Sequence, residues 1–320
     1  MNGHNAVVSP LLYLRALPVL DGLPQGPLAA LARETEETVV RVGTVIRGAD
    51  EPVESLHLVL DGRLRAERDG AVWTVAAGGE VGLLEVVAGE VAGTRVVADT
   101  DSVVLGIDGD ALRVVSERHS SILVRLVEEV ARRLTLDRAA LLAAVAGPKR
   151  PEPLGPGLDR VGRLLALHRA TALPSGSMDA LAELAGVDAE IVVEAGAPLW
   201  EAGTPASAAY VLCSGTVAYR GADGDEFGAL GPGAVPGLPL MLAGGTRALS
   251  AWARTDVVAL ELQRDAFFDV LEDHFELAWG IMAAAARRLL ESAAGPGPTG
   301  SADPGGPPSP TSGQAPPAAP

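Results

Sequence analysis

Short apolar runs bounded by glycines recur along the first part of the chain. Residues 39–40, 44–46 and 56–60 are rich in Val, Leu and Ile, which fit the pleated surface of a strand. Gly43 and Gly62 separate these runs, where a turn needs a positive φ or a close backbone approach. Many short strands with regularly placed glycine turns predict a jelly roll or a barrel.

Helical stretches flank these strands in both halves of the chain. Residues 11–32 and 158–184 form a helical portion ahead of each set of strands. Residues 122–145 and 275–292 follow the last strands, and their apolar residues recur at three- and four-residue spacing, as in an amphipathic helix. Each half is therefore predicted to end in a long closing helix.

The two halves of the chain match each other position by position. Self-similarity at a steady offset is the signature of a repeated structural unit. The matched pairs are Gly43 with Gly196, His57 with Tyr210, Gly62 with Gly215 and, after a two-residue insertion, Gly78 with Gly233, Gly82 with Gly237, Leu83 with Leu238, Asp101 with Asp256 and Arg132–Arg133 with Arg287–Arg288. We interpret the chain as two copies of one domain.

The repeat divides the chain into two domains, a linker and a tail. We place the first domain at residues 1–146, a Pro/Gly linker at 147–157, the second domain at 158–293 and a Pro/Gly-rich tail at 294–320. Prolines and glycines prevent the linker from forming continuous helix or strand. The tail has no apolar run that could bury a core, so we expect it to be disordered. A solubilising role is the favoured interpretation, and a peptide ligand for a partner is the alternative.

The net charge of −16 argues against nucleic acid as a partner. A protein that binds duplex DNA gains much of its affinity from basic side chains that neutralise phosphates, and no Lys/Arg cluster stands out here. We therefore expect no DNA binding. Arginine is strongly preferred over lysine, Lys149 being the only lysine, which resembles the bias of a GC-rich bacterial genome.

Other features limit the location and the chemistry of the chain. It contains no apolar run of about 18 residues and no recognisable signal peptide, so we expect a cytoplasmic protein that does not enter a membrane. Cys213 is the single cysteine and is expected to be a buried, inert thiol. No histidine stands in a metal-spaced cluster, and no catalytic motif appears, so we expect neither a metal site nor an enzyme.

Residues 233–253 contain the most informative motif. Gly237-Leu238-Pro239 opens a short helical loop, Arg247 follows nine positions after Leu238, and a strand comes next. This segment resembles the phosphate-binding cassette of cyclic-nucleotide-binding domains, in which Gly-Glu is followed nine positions later by arginine. The glycine spacing of both copies resembles the same family. The resemblance covers nearly all of residues 10–293. It implies a mainly β fold with helices, that is, two tandem double-stranded β-helix or jelly-roll domains, each flanked by N- and C-terminal helices.

The resemblance implies a role for each residue of the second cassette. Gly237 and the start of its helix would direct backbone N–H groups at a cyclic phosphate, and Arg247 would neutralise that phosphate. Ala248 and Ser250 match the small residues that lead into the following strand and support the ligand. Leu238 stands where the family has the glutamate that accepts the ribose 2′-hydroxyl. Leaving that hydroxyl unpaired would cost on the order of 1–3 kcal/mol.

The first cassette departs further from the family pattern. Gly82 is kept, but Leu83 stands at the glutamate position and Ala92 at the arginine position. A phosphate at this site would lack its counter-charge. Glu85 and Arg95 lie nearby but are displaced along the sequence, and a solvated surface role is favoured for both.

Two hypotheses follow for a non-catalytic regulatory protein. In the first, the second domain senses a cyclic nucleotide (cAMP or cGMP) or a related phosphate ligand, and Arg247 points into an open pocket. In the second, both sites are inactive, and the paired domains act as a pseudo-receptor scaffold that binds a protein partner or forms a homodimer through the closing helices. The second hypothesis predicts Arg247 tied to a carboxylate, or a pocket filled by Leu238 and Met241. An Arg247 that is only a remnant of ancestry would pair with a nearby carboxylate or with backbone carbonyls.

Overall fold

The chain folds into two jelly rolls, each carrying helices before and after its strands. This computed structural model describes residues 10–16, 18–89, 94–148, 152–173, 177–187, 189–221 and 224–292. The mainly β fold with helices and its twofold repetition, predicted from the glycine-bounded apolar runs, are confirmed.

The first jelly roll consists of two antiparallel sheets with the strand orders β1-β8-β3-β6 and β2-β7-β4-β5. Its strands are β1 (Thr35–Val40), β2 (Val45–Arg47), β3 (Ser55–Asp61), β4 (Arg63–Arg68), β5 (Ala71–Ala76), β6 (Glu80–Val81), β7 (Arg95–Ala98) and β8 (Ser102–Asp108). Its helices are α1 (Pro10–Ala16), α2 (Gln25–Arg33), α3 (Leu83–Ala88), α4 (Gly109–Arg118), α5 (Ser120–Leu136) and α6 (Arg138–Val145), with a 3-10 helix at Pro18–Leu20.

The second jelly roll has the same plan, with the strand orders β11-β15-β9 and β10-β14-β12-β13. Its strands are β9 (Ala189–Val193), β10 (Pro198–Trp200), β11 (Ala208–Ser214), β12 (Val217–Arg220), β13 (Glu226–Leu230), β14 (Ser250–Ala253) and β15 (Val257–Gln263). Its helices are α7 (Arg160–Arg169), α8 (Met178–Val187), α9 (Leu238–Ala243), α10 (Arg264–Asp273) and α11 (Phe275–Glu291).

The buried apolar residues form three hydrophobic cores. Each jelly roll encloses one core between its own sheets, built mainly from valine and alanine in the first domain and from aromatic residues and alanine in the second. The third core is larger and continuous across both domains, because the helices of the two units share it. Cys213 is buried in this shared core, as predicted.

The helices of the two domains pack reciprocally. The closing helix α5 of the first domain lies against α9 of the second, and α11 of the second lies against α3 of the first. Arg287 on α11 donates to the Ala88 carbonyl at the end of α3, at 2.9 Å. Arg264 on α10 forms a 2.7 Å ion pair with Glu128 on α5. Each cassette helix is therefore covered by the closing helix of the other domain.

The last helix of the first domain reaches into the second domain. Val145 of α6 is buried in the core of the second jelly roll, and Val235 donates its amide to the Val145 carbonyl at 3.0 Å. Arg138 of α6 places its guanidinium 3.4 Å from the ring centre of Phe227. The boundary at residue 146, inferred from the repeat, stays a prediction, although α6 contributes to both units.

The closing helix α11 is a packed element rather than a free docking surface. Trp279 is only 8% exposed, and the Arg113 guanidinium covers its ring at 5.0 Å from the centre. Arg113 also pairs with Glu276 at 2.7 Å. The expectation of a partner or homodimer surface on this helix is corrected, because the first domain of the same chain already occupies its apolar face.

Three further expectations concern the tail, membrane spans and metal sites. The tail expected to be disordered, residues 294–320, lies outside the described residues. Within the part of the chain that the structure describes, no helix is both long and apolar enough to cross a membrane. The same part contains no group of three or more His, Cys, Asp or Glu side chains that could hold a metal ion.

Candidate functional site

The cassette of the second domain is a short helix between two glycine turns. Gly237 has a φ of 87° at the start of α9, and Gly244 has a φ of 74° at its end. A methyl group added at Gly237 would lie 3.1 Å from Nη1 of Arg247. Glycine is therefore required at position 237 both by the left-handed backbone and by the close approach of the guanidinium.

Arg247 points into the second jelly roll, and its side chain is only 3% exposed. Its Nη2 donates to the Ala208 carbonyl at 2.5 Å, and its guanidinium stacks 4.2 Å from the ring centre of Trp200. Its Nη1 has no hydrogen-bond partner among the described residues. Burial lowers the pKa of Arg247 below its ordinary value. The cation is thus held by a carbonyl and an aromatic face, and no carboxylate forms an ion pair with it in the described part of the chain.

Three aromatic side chains from three strands surround this arginine. Trp200 stacks on Tyr210 with ring centres 5.6 Å apart, and it contacts Tyr219 at 6.0 Å. The Tyr219 hydroxyl oxygen accepts the Gly237 amide at 3.3 Å. The phenol oxygen of Tyr219 therefore accepts the hydrogen bond of the cassette amide, beside the buried guanidinium.

The environments of the two phenols are set by burial. Desolvation raises the pKa of Tyr219, the more deeply buried of the two, so its hydroxyl stays protonated. Burial, together with the nearby Glu261 carboxylate, raises the pKa of Tyr210 to about 12. Tyr210 donates its hydroxyl to Glu261 at 3.2 Å. Both phenols are neutral at physiological pH, and neither supplies a full negative charge to Arg247.

The other residues predicted for the second site do not face this aromatic cluster. Leu238 and Met241 are buried in the core that the two domains share. The expectation that they would fill the site in an inactive receptor is wrong, because Trp200, Tyr210 and Tyr219 fill it instead. No signal in the cassette could have revealed this, since the three aromatic residues lie on other strands.

Ala248 and Ser250 were predicted to support a ligand. Ser250 Oγ accepts the Ala202 amide at 2.9 Å and so ties the strand after the cassette to the 201–204 turn. Ala248 is exposed. The structure therefore gives Ser250 a backbone-anchoring contact and leaves the Ala248 side chain exposed.

The first domain forms its cassette with the same backbone. Gly82 has a φ of 101° at the start of α3, and Leu83 is buried in the shared core like its equivalent Leu238. Ala92, predicted to replace the phosphate arginine, lies outside the described residues. The glutamate position is apolar in both domains.

Another arginine approaches the first cassette from a different strand. Arg47, at the end of β2, is 5% exposed, and its Nη1 would lie 3.2 Å from a methyl group added at Gly82. Its Nε donates to the Thr94 carbonyl at 3.1 Å. The prediction that this site lacks a positive charge is therefore wrong. At the offset that relates Gly43 to Gly196, Arg47 is the equivalent of Trp200.

Glu85 lies beside Arg47 and is also buried, so the expected solvated role for this glutamate is corrected. Its carboxylate accepts the Thr94 hydroxyl at 2.6 Å and lies 3.9 Å from Nη1 of Arg68. Burial lowers the pKa of Arg47, and the charge of Glu85 opposes that shift. Arg95, the other displaced residue, is half-buried on β7.

The interior of the first jelly roll lacks the aromatic cluster of the second. At the repeat offset, His57 corresponds to Tyr210 and Ala66 to Tyr219. Burial, helped by the charge of Arg47, lowers the pKa of His57 to about 4, so the imidazole is neutral at pH 7. A buried cation and a neutral histidine thus stand where the second domain has three aromatic rings.

Comparison with known sequences identifies the family. The family described as cyclic nucleotide-binding domain matches residues 37–119 and 190–274, together more than half of the chain. The chain therefore belongs to the cyclic nucleotide-binding domain family and carries two copies of that domain. Domains of this family are regulatory modules, which supports a regulatory role for the chain. No curated protein matches the chain significantly.

Several solved structures resemble the chain. The regulatory subunit of a cAMP-independent protein kinase A from Trypanosoma brucei is 18% identical, with 92% of each chain covered and a TM-score of 0.35. The regulatory domain of Toxoplasma gondii PKA, crystallised with cAMP, is 14% identical over 89% of this chain and 96% of that one, with a TM-score of 0.35. The N-terminal domain of a transcriptional regulator from Streptomyces coelicolor is 27% identical over 39% of this chain and 93% of that one, with a TM-score of 0.36.

Proposed function

We propose that this chain is a non-catalytic regulatory protein that acts as a pseudo-receptor towards cyclic nucleotides. The observation that carries the proposal is the hydrogen bond between the Gly237 amide and the Tyr219 hydroxyl. In a member of this family that binds a cyclic phosphate, the cassette glycine would present its amide to the ligand. In this chain a phenol of the same domain already accepts it.

The groups around Arg247 contact it in place of a ligand but supply no negative charge, and Nη1 keeps no acceptor among the described residues. A guanidinium over the face of a tryptophan gains about 2 kcal/mol when the pair is desolvated. Trp200 provides that face, and the Ala208 carbonyl accepts one N–H group. A phosphate that entered would have to displace Tyr219 from Gly237 and Trp200 from the guanidinium before it gained its own contacts.

Burial and composition also oppose a nucleotide at this site. Trp200, Tyr210, Tyr219 and Arg247 are all less than 10% exposed, so a ligand could reach the guanidinium only if neighbouring side chains moved. Leu238 offers no acceptor to a ribose hydroxyl, and that loss costs about 1–3 kcal/mol. The second domain therefore keeps the shape of a nucleotide receptor while its own residues hold the site closed.

A pseudo-receptor acts through contacts with other molecules, so the proposal includes a protein partner. The closing helices are not that contact surface, because α5 and α11 are buried between the domains. The partner would then bind an outer face of the paired jelly rolls. The fixed, reciprocal packing of the helices supports a rigid scaffold of this kind.

A sensor in the second domain is the second candidate, and one observation favours it. Nη1 of Arg247 is a buried cationic donor without a hydrogen-bond partner among the described residues. Leaving such a donor unsatisfied is costly, and a phosphate oxygen of cAMP or cGMP would satisfy it. This function requires Trp200 or Tyr219 to move aside on binding, with Gly237, Arg247 and Ser250 at the ligand.

The two candidates differ in the thermal stability of the full chain with millimolar cAMP or cGMP. A ligand at about 100 times its Kd stabilises a protein by roughly 2.7 kcal/mol. The pseudo-receptor predicts no shift for the wild type or for Arg247→Gln. A shift in the wild type that Arg247→Gln abolishes and Arg47→Gln leaves intact would establish the sensor instead. Trp200→Ala serves as the opened variant, in which a latent site would become detectable.

A further inference from the structure

The helices of the two domains enclose a cavity of about 170 Å³ within the core that they share. Helices α5 and α6 of the first domain and α9 and α11 of the second form its wall. Its interior is lined by buried apolar side chains, among them Val127, Leu134, Leu238, Leu242, Ile281 and Met282. An apolar cavity of about 150 Å³ stays dry and binds benzene, so this space fits an apolar group of about six carbon atoms.

Alanines on two neighbouring helices leave this space open. Ala284 and Ala285 of α11 line the cavity, and so do two alanines of α6, a helix that packs against α11. At the offset that relates the two cassette glycines, Ala284 and Ala285 correspond to Glu129 and Val130 of α5. The closing helix of the second copy therefore has less side-chain volume at two positions, and the cavity lies there.

The cavity reaches the surface at a mouth that carries one charged side chain. Ala143, Ala146, Thr171 and Arg288 border the cavity and are exposed. Thr171 uses its hydroxyl to donate to the Ala146 carbonyl. Arg288 is the one charged side chain among the described residues of the wall, and it pairs with Glu291 at 2.7 Å. Because this pair is exposed, solvent and salt screen it, and the guanidinium remains available to a second anion.

The repeat indicates which anion fits Arg288. Its equivalent in the first domain is Arg133. Arg133 binds Glu80 at 2.7 Å and Glu129 at 2.8 Å. The positions equivalent to these two glutamates are apolar in the second domain, namely Val235 and Ala284. The second domain thus keeps the arginine without either carboxylate, and a carboxylate brought by a ligand would take their place.

We propose that this cavity binds a fatty acid with a chain of about six carbons, whose carboxylate pairs with Arg288 at the mouth. The planar fork of a guanidinium can donate two parallel hydrogen bonds to a carboxylate. Burial of the chain against the apolar wall supplies the remaining affinity, in proportion to the apolar area removed from water. The site lies among the helices and not inside a jelly roll, so this inference goes beyond the proposed function and does not depend on it.

A ligand in this cavity would act on the contact between the domains. It would touch α5 and α6 of the first domain together with α9 and α11 of the second. Because it binds only while these helices are packed together, it stabilises the paired domains. Leu238 belongs to the wall of this cavity, although the cassette alignment places it at the ribose-binding position. The second cassette helix thus borders an apolar site that requires no cyclic nucleotide.

Calorimetric titration of the full chain with sodium heptanoate, at neutral pH and constant ionic strength, tests the proposal. Three variants complete the design. Ala285→Leu fills the cavity, and Arg288→Gln removes the charge at its mouth. Arg132→Gln is the matched control, because Arg132 is exposed and pairs with a glutamate three residues away, as Arg288 does.

We expect heptanoate to bind the wild type and not to bind Ala285→Leu. Binding to Arg288→Gln should be about tenfold weaker, and binding to Arg132→Gln should change less than about twofold. Acetate lacks the chain and 1-heptanol lacks the charge. Each should therefore bind the wild type at least about tenfold more weakly than heptanoate does.

Each result of these titrations either supports or overturns the fatty-acid site. Failure of heptanoate to bind the wild type at millimolar concentration overturns it, and so does unchanged binding by Ala285→Leu. If Ala285→Leu does not fold, Ala143→Leu, which adds volume at the exposed mouth, decides in its place. Acetate binding as tight as that of heptanoate would show a surface ion contact without a cavity site. Equal binding of heptanoate and 1-heptanol, or unchanged binding by Arg288→Gln, would refute recognition of the carboxylate.

Discussion

Arg47 and Arg247 bring their guanidinium groups to equivalent points of the two domains from positions that are not equivalent in the repeat. A methyl group at the cassette glycine would lie 3.2 Å from Nη1 in the first domain and 3.1 Å in the second. Arg47 reaches this point from β2 and Arg247 from the loop that precedes β14. Both copies therefore keep a buried cation at the cassette glycine, although an alignment of the cassettes shows it only in the second.

The hydroxyl of Tyr219 is the first target for mutation. Tyr219→Phe removes the acceptor of the buried Gly237 amide without changing the volume of the ring. We expect the free energy of unfolding to fall by about 1–3 kcal/mol, because a buried N–H group loses its partner. Urea denaturation measures this change.

Tyr210→Phe is the matched control for Tyr219→Phe. Its hydroxyl donates to Glu261, whose side chain is only partly buried and can bind water instead, so a smaller loss is expected. Equal stability of Tyr219→Phe and the wild type would show that the Gly237 amide finds another acceptor. That result would weaken the argument for a self-occupied site.

Neighbouring arginines on α5 allow a buried and an exposed ion pair to be compared directly. Arg133 binds Glu80 at 2.7 Å and Glu129 at 2.8 Å in a mostly buried position, whereas Arg132 binds Glu129 from an exposed one. Breaking a buried pair by removing one partner costs about 3–5 kcal/mol, and surface pairs contribute about 0–1 kcal/mol. We therefore expect Arg133→Met to destabilise the chain by several kcal/mol in urea denaturation.

Arg132→Met is the control for that substitution, with an expected change below about 1 kcal/mol. A similar loss of unfolding free energy in both variants would mean that it arises from lost packing of the aliphatic part of each arginine on the helix surface. In that case the ion pair with Glu80 would not be what attaches α5 to the first jelly roll.

The fold was predictable from the sequence because its signals are local and occur twice. Gly43 and Gly62 fix turns between apolar runs, and their equivalents Gly196 and Gly215 repeat the pattern, so each copy supports the interpretation of the other. The cassette glycines Gly82 and Gly237 were found in the same way. Their positive φ values explain why the spacing survives where the side chains differ.

The contents of the two sites were not predictable because they depend on residues far apart in sequence. Strands β3 to β6 separate Arg47 from Gly82 along the sequence, and only closure of the jelly roll brings the two residues together. Trp200 and Tyr219 likewise reach Arg247 from separate strands. One signal was available in the sequence: Arg47 lies at a strand position where the second copy has Trp200. Finding it requires the two copies to be compared for differences as well as for matches.

His57 makes the stability of the first domain depend on pH. Its pKa is about 4 in the folded chain and about 6.5 in an unfolded one, so the unfolded state binds its proton first as the pH falls. The contribution is complete above about pH 6.5 and is lost as the pH falls towards 4. It amounts to roughly 2–3 kcal/mol across that window.

The His57→Gln variant should therefore lose stability less steeply than the wild type between pH 6.5 and 4.5. Urea denaturation at several pH values measures both slopes, and His168→Gln controls for the removal of a histidine elsewhere. Parallel slopes for the wild type and His57→Gln would show that the imidazole is protonated in the fold. The neutral histidine assigned beside Arg47 would then be incorrect.

The core shared by the helices predicts that the two domains unfold together. Leu134 of α5 is buried in this shared core, whereas Leu64 of β4 is buried only inside the first jelly roll. Changing a buried leucine to alanine costs about 2–5 kcal/mol in either place. If the helical core couples the domains, both variants should shift one common transition in urea.

The natural tryptophans provide the readout for that coupling. Trp73 reports on the first jelly roll, and Trp200 and Trp252 on the second. The variant Trp73→Phe leaves only second-domain tryptophans, on β10, β14 and α11. We expect its tryptophan fluorescence to give the same unfolding midpoint as circular dichroism of the whole chain. This agreement should hold both without and with the additional substitution Leu64→Ala. A midpoint by fluorescence that stays fixed while Leu64→Ala lowers the midpoint by circular dichroism would show independent domains. If unfolding is coupled, a substitution that destabilises one cassette also destabilises the other domain, because α5 covers α9 while α11 covers α3.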